Sequence, residues 1–267
     1  MVLNPYDVQD LKREFDSSVP FRYIVIESFL DPEFALEVAR AYPSYEEALA
    51  QGMGFDSVNE RRKVQVSDAS KFPEPVAKLN DALASPEFMR DLHTITGIDG
   101  LLPDPSLAGA GMHLTTGHGR LDVHVDFNYS EEAQTHRRLN ILIYLNEDWD
   151  ASWGGAVELW DQQVKTCHKR VEPMLNRMVL FETSDISFHG VTPLTCPSDR
   201  TRQSFATYYY TREAPAGWDG THHSTIFRAR PDEKLQKYLL MPVEKVQHEA
   251  KRVVRKAKKA VKKIVDR

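Results

Sequence analysis

The sequence predicts an α+β protein whose core, about 100 residues, is an all-β sandwich or jelly roll with helices packed outside it. From Gly109 to Thr211, short apolar or alternating runs of strand length follow one another, separated by Gly, Pro, Asn and Asp. Several short strands at fairly even spacing, with turn residues between them, are typical of β-sandwiches and jelly rolls. The predicted strands cover residues 111–114, 121–127, 139–145, 156–160, 178–182 and 204–211.

The first third of the chain alternates strand and helix signals. Residues 21–27, FRYIVIE, are rich in β-branched and aromatic side chains and predict a strand. Asp31-Pro32-Glu33 supplies an N-cap, a proline at the first helical position and an early acid, which predicts a helix running to about Tyr42. The other predicted elements are helices over 75–84 and 85–97 and, within a polar irregular stretch at 51–69, a short strand over 63–66.

Composition sets the broad class of protein. The chain has 267 residues, of which 41% are hydrophobic and 27% charged, so it can bury a core and is not disordered throughout. No apolar run approaches the roughly 18 residues of a membrane-spanning helix. The N-terminus lacks the basic start and apolar stretch of a secretory signal peptide. The two cysteines, Cys167 and Cys196, are too few for a fold of this size to be stabilised by disulfide bonds. We therefore expect a soluble protein of the reducing cytoplasm.

Charge divides the chain into an acidic body and a basic end. Residues 242–267 contain ten Lys or Arg and three Asp or Glu, whereas the whole chain carries a net charge of −5, so the other residues carry −12. Nucleic acid is not expected to bind the acidic core. We expect residues 1–108 to pack a strand and helices on the core, residues 109–230 to form the core, and residues 231–267 to form a basic amphipathic tail.

The tail sequence predicts a helix that begins at Pro242-Val243-Glu244 and runs to Arg267. Such a helix can make peripheral contact with an anionic membrane, and an acidic protein or RNA is a further partner. A solvated helix or frayed tail is an equally good interpretation. Its apolar positions recur at intervals of three or four residues: Val246, Ala250, Val253, Ala257, Val261 and Ile264.

His124 and Asp126 lie two positions apart in a predicted strand, so their side chains point to the same face and can reach one ion. Alone this pair is weak evidence, because a buried His–Asp hydrogen bond is also a common structural feature. His189 follows in a second strand-like setting, FHGV. Two imidazoles and one carboxylate leave metal positions open, which suits non-haem Fe(II) binding a co-substrate and O₂. A structural zinc site would be closed by four protein ligands.

Arg202 and Ser204 share a face at the beginning of the strand predicted over 204–211. A guanidinium beside a hydroxyl is suited to charge-assisted, bidentate recognition of a carboxylate. The sequence therefore predicts an anion-binding group near the metal ligands.

These motifs together resemble the Fe(II)/2-oxoglutarate-dependent oxygenases, and among them the prolyl 4-hydroxylase-like branch. The resemblance runs from about Gly109 to Thr211, and IYLNEDWD followed by a Gly-Gly pair is especially close to that branch. It implies a double-stranded β-helix (jelly-roll or cupin-like) core with N-terminal flanking helices and a C-terminal basic helix. The motifs occur in the order LDVHVDFN, RRLNILIYLNEDWD, WGGAVELW, LNRMVLFE, FHGV and RQSFATYYY.

The resemblance assigns roles to seven residues. By position, it implies that the catalytic iron ligands are His124, Asp126 and His189. It implies that the 2-oxoglutarate site is formed by Arg202, which pairs with the distal carboxylate, by Ser204 of the Arg-x-Ser form, and by Tyr144 and His113. A tyrosine in a sheet also commonly serves packing alone, which is the alternative for Tyr144.

The implied cofactors are Fe(II), 2-oxoglutarate as co-substrate and O₂, with ascorbate as a stimulant. The implied reaction hydroxylates an unactivated C–H bond and releases succinate and CO₂, and a peptidyl proline is the first substrate to consider. A free amino acid or another small metabolite is the alternative substrate, because the fold does not settle the choice. Two other classes stay open: a cupin-like metal enzyme that is not an oxygenase, and a binding module that docks through its tail.

The segment after the last predicted strand, residues 222–231, has two interpretations. It covers the mouth of the site, with Arg228 or Arg230 meeting an anionic substrate, or it is a plain surface segment.

Overall fold

The computed structural model describes residues 2–104 and 106–241, which form one antiparallel sheet with helices packed against it. The α-helices of this part of the chain are α1 (Val8–Ser17), α2 (Pro32–Ala41), α3 (Tyr45–Gln51), α4 (Glu74–Leu83) and α5 (Pro86–Thr96). Its strands are β1 (Tyr23–Ile26), β2 (Met53–Phe55), β3 (Glu60–Val66), β4 (Leu102–Pro103), β5 (Gly111–Val125), β6 (Tyr129–Ser130), β7 (Thr135–Tyr144), β8 (Val157–Trp160), β9 (Cys167–Val171), β10 (Met178–Glu182), β11 (His189–Val191), β12 (Thr201–Thr211) and β13 (Ile226–Arg228).

The sheet curls into a half-barrel, and its strands pair in an order far from their order in the chain. The main path runs β1-β10-β7-β12-β5-β11-β8-β9, and every pair in it is antiparallel. The short strand β11 is shared between β5 on one side and β8 on the other. Side chains of β1, at one end of the path, pack in one cluster with side chains of β8 and β9, at the other end.

The N-terminal segment contributes both helices and strands to this architecture. The predicted helix at Asp31 is confirmed as α2, and the Asp31 carboxylate accepts hydrogen bonds from the backbone N–H groups of Glu33 and Phe34. The predicted strand over 21–27 is confirmed as β1, which pairs with β10 at one edge of the sheet. Helices α4 and α5 are confirmed within one residue of the predicted bounds.

Two apolar clusters hold the sheet and its helices together. The larger lies between the helices and the outer face of the sheet, where Phe15, Leu79, Leu92 and Phe205 are buried. A smaller cluster lies inside the half-barrel and includes Phe21, Tyr144, Val157, Leu159 and Phe181. The helices therefore stabilise the sheet from outside and leave its concave face to form a pocket.

The structure corrects the interpretation of residues 51–69. Instead of an irregular loop with a strand over 63–66, the chain forms a hairpin in which β2 pairs with β3, and β3 continues the sheet beside β5. The outer half of β3, residues 60–63, is polar and has no alternating pattern. Its extended form comes from backbone pairing with β5, which the local sequence does not encode.

The predicted strands 111–114 and 121–127 are parts of one long strand, β5. The polar residues between them, TTGHGR, remain extended, with His118 at a positive φ of 64°. The sequence analysis also did not predict the helices α1 and α3 or the strands β4, β6, β9 and β13. The predicted tail helix over 242–267 lies outside the described residues. Within those residues, no helix has both the length and the apolar character that crossing a bilayer requires.

Asn176 joins the N-terminal segment to the sheet and supplies a test of the fold. Its side-chain oxygen accepts the Leu30 N–H at 2.7 Å and its amide donates to the Leu30 carbonyl at 2.7 Å, while its backbone has a φ of 62°. Asn176→Ala leaves two buried backbone groups unpaired and should lower the free energy of unfolding by about 2–4 kcal/mol in urea denaturation. Asn176→Gly, which accepts the positive φ, should recover about 1 kcal/mol of that loss. Equal stability of the alanine variant and the unmodified protein would contradict this role.

Candidate metal centre

The antiparallel pairing of β11 with β5 brings the two predicted histidine ligands together. His189, the first residue of β11, lies directly opposite His124 of β5 in the register of that pair. Their ring centroids are 4.3 Å apart, and Asp126 follows immediately after β5. One potential ligand atom from each of His124, Asp126 and His189 lies within 4.8 Å of the other two. The structure thus places the three side chains around a common point.

Backbone carbonyls orient both imidazoles. The Nδ1 atom of His124 lies 2.9 Å from the Asp122 carbonyl oxygen, and the Nδ1 atom of His189 lies 2.9 Å from the Ser187 carbonyl oxygen. Each Nδ1–H therefore donates to a carbonyl, which leaves the Nε2 lone pair for a metal. The Nε2 atoms face Asp126, at 3.6 Å from Oδ1 for His124 and 3.4 Å from Oδ2 for His189.

Electrostatics keep the donor atoms in the protonation states that a metal requires. Burial alone would raise the pKa of Asp126, but the charge of Arg137 and the neighbouring imidazoles outweigh burial and hold this pKa well below its usual value. Burial and the proximity of His124 lower the pKa of His189 to about 4. At neutral pH the site therefore offers an ionised carboxylate and a neutral His189 imidazole.

The donor set fits ferrous iron better than a structural zinc. Among the residues that the structure describes, this is the one group of His, Cys, Asp and Glu with metal-ligand spacing. A fourth protein ligand, which a structural zinc normally has, is missing from that group. Two imidazoles and a carboxylate on one side of an ion are the ligands of non-haem Fe(II) sites that keep positions open for other molecules.

Arg202 is a buried cation without a carboxylate partner in the part of the chain that the structure covers. It lies on β12 with 5% of its surface exposed, and its Nε donates to the Gly155 carbonyl at 2.7 Å. Its Nη1 donates to the Ser204 hydroxyl at 3.3 Å. Burial lowers the pKa of Arg202. A charged guanidinium held in this way requires an anion to offset its desolvation, and a carboxylate of a bound ligand provides one.

Tyr144 and His113 lie beside Arg202 in the same sheet. Tyr144 is opposite Ser204 in the β7–β12 pair, and the Arg202 guanidinium is 5.0 Å from its ring centroid. The Tyr144 hydroxyl is buried without a hydrogen-bond partner among the described residues. His113 is opposite Ser204 in the β5–β12 pair, and its Nε2 contacts the Gly109 carbonyl oxygen at 3.1 Å. Burial, with the nearby cations Lys63 and Arg202, holds the pKa of His113 well below its usual value, so the ring is neutral.

One cavity of about 320 Å³ connects the metal ligands with the anion-binding group. Its lining includes the polar side chains of Arg202, Ser204 and His113 together with the three metal ligands. This arrangement suits a molecule that chelates the metal at one end and presents a carboxylate at the other. The structure thus places six of the seven predicted site residues in the wall of one cavity, with the Tyr144 ring beside Arg202. Its apolar wall includes Phe127, Leu142, Val157, Phe181, Val191, Tyr208 and Phe227.

The sequence analysis missed three residues that contact the metal ligands. Asn140 donates to Asp126 Oδ2 at 2.7 Å, and Arg137 Nη2 pairs with the same oxygen at 3.1 Å. The Phe227 ring lies 5.3 Å from the His124 ring, across the β13–β5 pair. The sequence does contain a signal for Asn140, because an amide side chain within the apolar run LNILIYL is unusual unless it has a hydrogen-bonding role.

The segment 222–231 borders the pocket, with Thr225 and Phe227 in its wall, but its arginines do not face a substrate. Arg230 is buried and pairs with Glu158 at 2.7 Å. Arg228 donates to the Gln162 carbonyl at 2.6 Å and lies over the Phe188 ring. The expectation that Arg228 or Arg230 meets an anionic substrate is therefore wrong, because both are engaged within the fold.

Comparison with known proteins supports this interpretation of the site. Residues 110–210 match the sequence model of the 2OG-Fe(II) oxygenase superfamily. The chain is 28% identical over 196 residues to prolyl 3-hydroxylase OGFOD1 of Mus musculus, a match that covers 72% of this chain and 33% of that protein. The chain thus spans about a third of the length of this curated relative.

Solved structures show the same fold. A prolyl-4-hydroxylase of Pseudomonas putida superposes with a TM-score of 0.52 at 15% identity, over 76% of this chain and 100% of that chain. A prolyl hydroxylase of Trichoplax adhaerens, in complex with a hypoxia inducible factor peptide fragment, superposes with a TM-score of 0.52 at 16% identity, over 76% of this chain and 88% of that chain. The double-stranded β-helix that the sequence predicted is therefore confirmed. The superfamily implies Fe(II), 2-oxoglutarate and O₂ as cofactors, and the donor set and the buried Arg202 fit them.

Arg202 should decide the affinity for the distal carboxylate of 2-oxoglutarate. In the Fe(II)-loaded protein without oxygen, Arg202→Met should weaken 2-oxoglutarate binding by about 2 kcal/mol or more, roughly 30-fold, because a buried carboxylate loses its charged partner. Binding of pyruvate, which lacks this carboxylate, should change little. Calorimetric titration with both keto acids measures the difference, and Arg138→Met on the neighbouring strand β7 is the matched control. The same loss for both ligands would show that Arg202 only supports the fold.

Proposed function

We propose that this protein is an Fe(II)- and 2-oxoglutarate-dependent oxygenase that hydroxylates an unactivated C–H bond of a prolyl residue in a peptide or protein. The observation that carries the proposal is the convergence of His124, Asp126 and His189 beside Arg202, a buried cation whose charge no described carboxylate offsets. The metal side of the cavity and its cationic end are matched to the two ends of a dicarboxylic keto acid.

Each group of residues in the site has a different role in this reaction. When bound, iron with 2-oxoglutarate and O₂ supplies the oxidant that attacks the C–H bond, with succinate and CO₂ as co-products. His124, Asp126 and His189 hold the ion on one side and leave the other side open. Arg202 and Ser204 orient the co-substrate by its distal carboxylate. The Tyr144 hydroxyl, which has no hydrogen-bond partner among the described residues, is available to the same group. The aromatic walls exclude water and limit side reactions.

The shape and composition of the mouth favour a proline-containing chain. Phe127, Tyr208 and Phe227 line the cavity on the substrate side, and saturated rings pack well on aromatic faces. Outside the residues that line the cavity, the rings of Tyr129, His222 and Trp218 stack in sequence, with centroids 3.9 and 5.0 Å apart. Such a row of rings is suited to the extended conformation of Pro-rich peptides. The mouse relative and two of the similar solved structures are prolyl hydroxylases by name, which agrees with this substrate class.

Other functions make different demands on the same residues. A free amino acid or small metabolite would use the same metal and co-substrate sites but not the stacked rings of Tyr129, His222 and Trp218. A cupin-like metal enzyme that is not an oxygenase would have no use for Arg202. A binding module that docks through its tail would tolerate the loss of His189.

We further propose that the protein works in the cytoplasm and that its basic tail makes peripheral contact with an anionic membrane. The two cysteines, Cys167 and Cys196, are free thiols, as expected in a reducing compartment. The tail has ten basic and three acidic residues over 242–267. Just before it, Leu235 and Leu239 are exposed apolar side chains that can enter the lipid interface.

The proposed activity is tested by anaerobic titration followed by turnover. Fe(II) and 2-oxoglutarate added to the protein should produce the visible charge-transfer band of the chelate. Oxygen with proline-containing peptides should then release succinate in proportion to a gain of 16 Da in the peptide, measured by mass spectrometry. Succinate release coupled to a free amino acid, and not to any peptide, would favour the small-molecule alternative.

A matched pair of variants separates the metal site from general effects on the fold. His189→Ala removes one of three metal ligands and should abolish the band and the release of succinate, since loss of even an outer partner costs about 10–100-fold in metal affinity. His168→Ala, an exposed position on β9, should behave as the unmodified protein. Retained turnover in His189→Ala would mean that another residue completes the site.

The membrane contact is tested by sedimentation with vesicles. The full chain should co-sediment with phosphatidylserine vesicles, and less so at high salt, because each basic residue near the surface contributes about 1 kcal/mol. Vesicles of phosphatidylcholine should not retain it. Removal of residues 242–267 should abolish co-sedimentation with phosphatidylserine vesicles; unchanged binding of the shortened chain to these vesicles would exclude the tail as the contact.

A further inference from the structure

Two buried side chains on β7 hold a single oxygen of the proposed metal ligand Asp126. Asn140 Nδ2 donates to Asp126 Oδ2 at 2.7 Å, and Arg137 Nη2 forms an ion pair with the same atom at 3.1 Å. Oδ2 also faces the Nε2 atom of His189 at 3.4 Å, and the other oxygen, Oδ1, faces the Nε2 atom of His124 at 3.6 Å. The two oxygens of one carboxylate therefore have different surroundings.

The orientation of Asn140 is set by Arg137. The Asn140 Oδ1 atom accepts hydrogen bonds from Arg137 Nε at 2.9 Å and Nη2 at 2.8 Å, and from the Thr183 hydroxyl at 3.2 Å. Because the amide oxygen faces these donors, the amide nitrogen must face Asp126. Arg137, Asn140 and Asp126 thus form a closed ring of contacts, and a rotated amide would break the contacts that Asn140 makes with both of the others.

Packing immobilises the arginine of this ring. The Arg137 guanidinium lies 3.4 Å from the Tyr208 ring centroid and 4.8 Å from that of Phe127, and 3% of the residue is exposed. Asn140 is 2% exposed. A planar guanidinium that stacks on an aromatic ring and donates hydrogen bonds from its own edge has little rotational freedom. Both partners of Asp126 Oδ2 are therefore in place before a metal arrives.

We propose that Arg137 and Asn140 are positioning residues that hold the Asp126 carboxylate by its Oδ2 atom, fix its orientation at the metal site and weaken it as a metal ligand. This inference rests on the proposed iron site. A carboxylate that is free to turn can bind a metal through one oxygen or two. By limiting that freedom, the ring of contacts keeps open the positions that the co-substrate and O₂ need.

The ring has an electronic consequence as well. A cation and an N–H donor on Oδ2 withdraw electron density from the carboxylate and make it a weaker donor to iron. Removing them should make the iron more electron-rich. The charge-transfer band of the Fe(II)–2-oxoglutarate chelate, in which an electron moves from iron to the keto acid, should then move to longer wavelength.

The test records this band without oxygen, at saturating Fe(II) and 2-oxoglutarate. Arg137→Met and Asn140→Ala should both shift the band to longer wavelength, and Arg137→Lys, which keeps the charge, should shift it less than Arg137→Met. The matched control is Arg138→Met, because Arg138 is the next residue on β7 and donates instead to the Thr211 hydroxyl. The control should give the band of the unmodified protein. Asn140→Ala keeps the buried cation and provides the test should Arg137→Met fail to fold.

A purely structural role makes a different prediction. It would lower the amplitude of the band, through a smaller fraction of loaded protein, but leave its wavelength unchanged. Bands of unchanged wavelength in Arg137→Met and Asn140→Ala, beside a normal band in Arg138→Met, would overturn this inference and leave the proposed oxygenase function intact. The absence of a band in the unmodified protein would overturn the proposed function and this inference with it.

Discussion

The pairing of β11 with β5 is the constraint on which the rest of the site depends. His189 and His124 are far apart in the chain, and only the register of this pair places one directly opposite the other. Because β11 has three residues and pairs on its other side with β8, a slip of one residue would turn the His189 side chain to the opposite face. The strand pairing of the curled sheet therefore sets the distance between the two imidazoles.

Two buried arginines define the electrostatics of the pocket, and they do so in opposite ways. Arg137 is paired with Asp126 inside the protein, so its charge is compensated and it acts on the metal ligand. Arg202 contacts a carbonyl and a hydroxyl, which do not carry a full negative charge. Since no carboxylate of the described residues pairs with Arg202, an entering anion offsets its desolvation, and selectivity for an anionic ligand follows from this arrangement. One arginine stabilises the site, and the other recognises what binds there.

The sequence predicted the parts of the fold and site that are encoded locally or by a motif. The N-cap and proline of α2, the strand register of His124 and Asp126, and the shared face of Arg202 and Ser204 all follow from spacing of one or two residues. The hairpin of β2 and β3 could not be predicted in this way, because polar β3 is extended only through its pairing with β5. The ring of Arg137 and Asn140 depends on which residues of β7 face Asp126, and β7 and Asp126 meet only in the folded sheet. Contacts between distant strands carry little local signal.

The residues that match the superfamily do not complete the site by themselves, because a segment beyond position 210 closes it. Strand β13 pairs with β5 alongside His124, and Phe227 covers the imidazole. Further on, Arg230 pairs with buried Glu158 of β8 and donates to the Val191 carbonyl of β11 at 3.0 Å. The Arg230 side chain thereby connects β11, the strand that contains His189, with the neighbouring strand β8. Breaking a buried ion pair of this kind leaves an uncompensated charge. The distance between the metal ligands consequently depends on an ion pair outside the motif that contains them, which is why the motif alone does not define the geometry of the site.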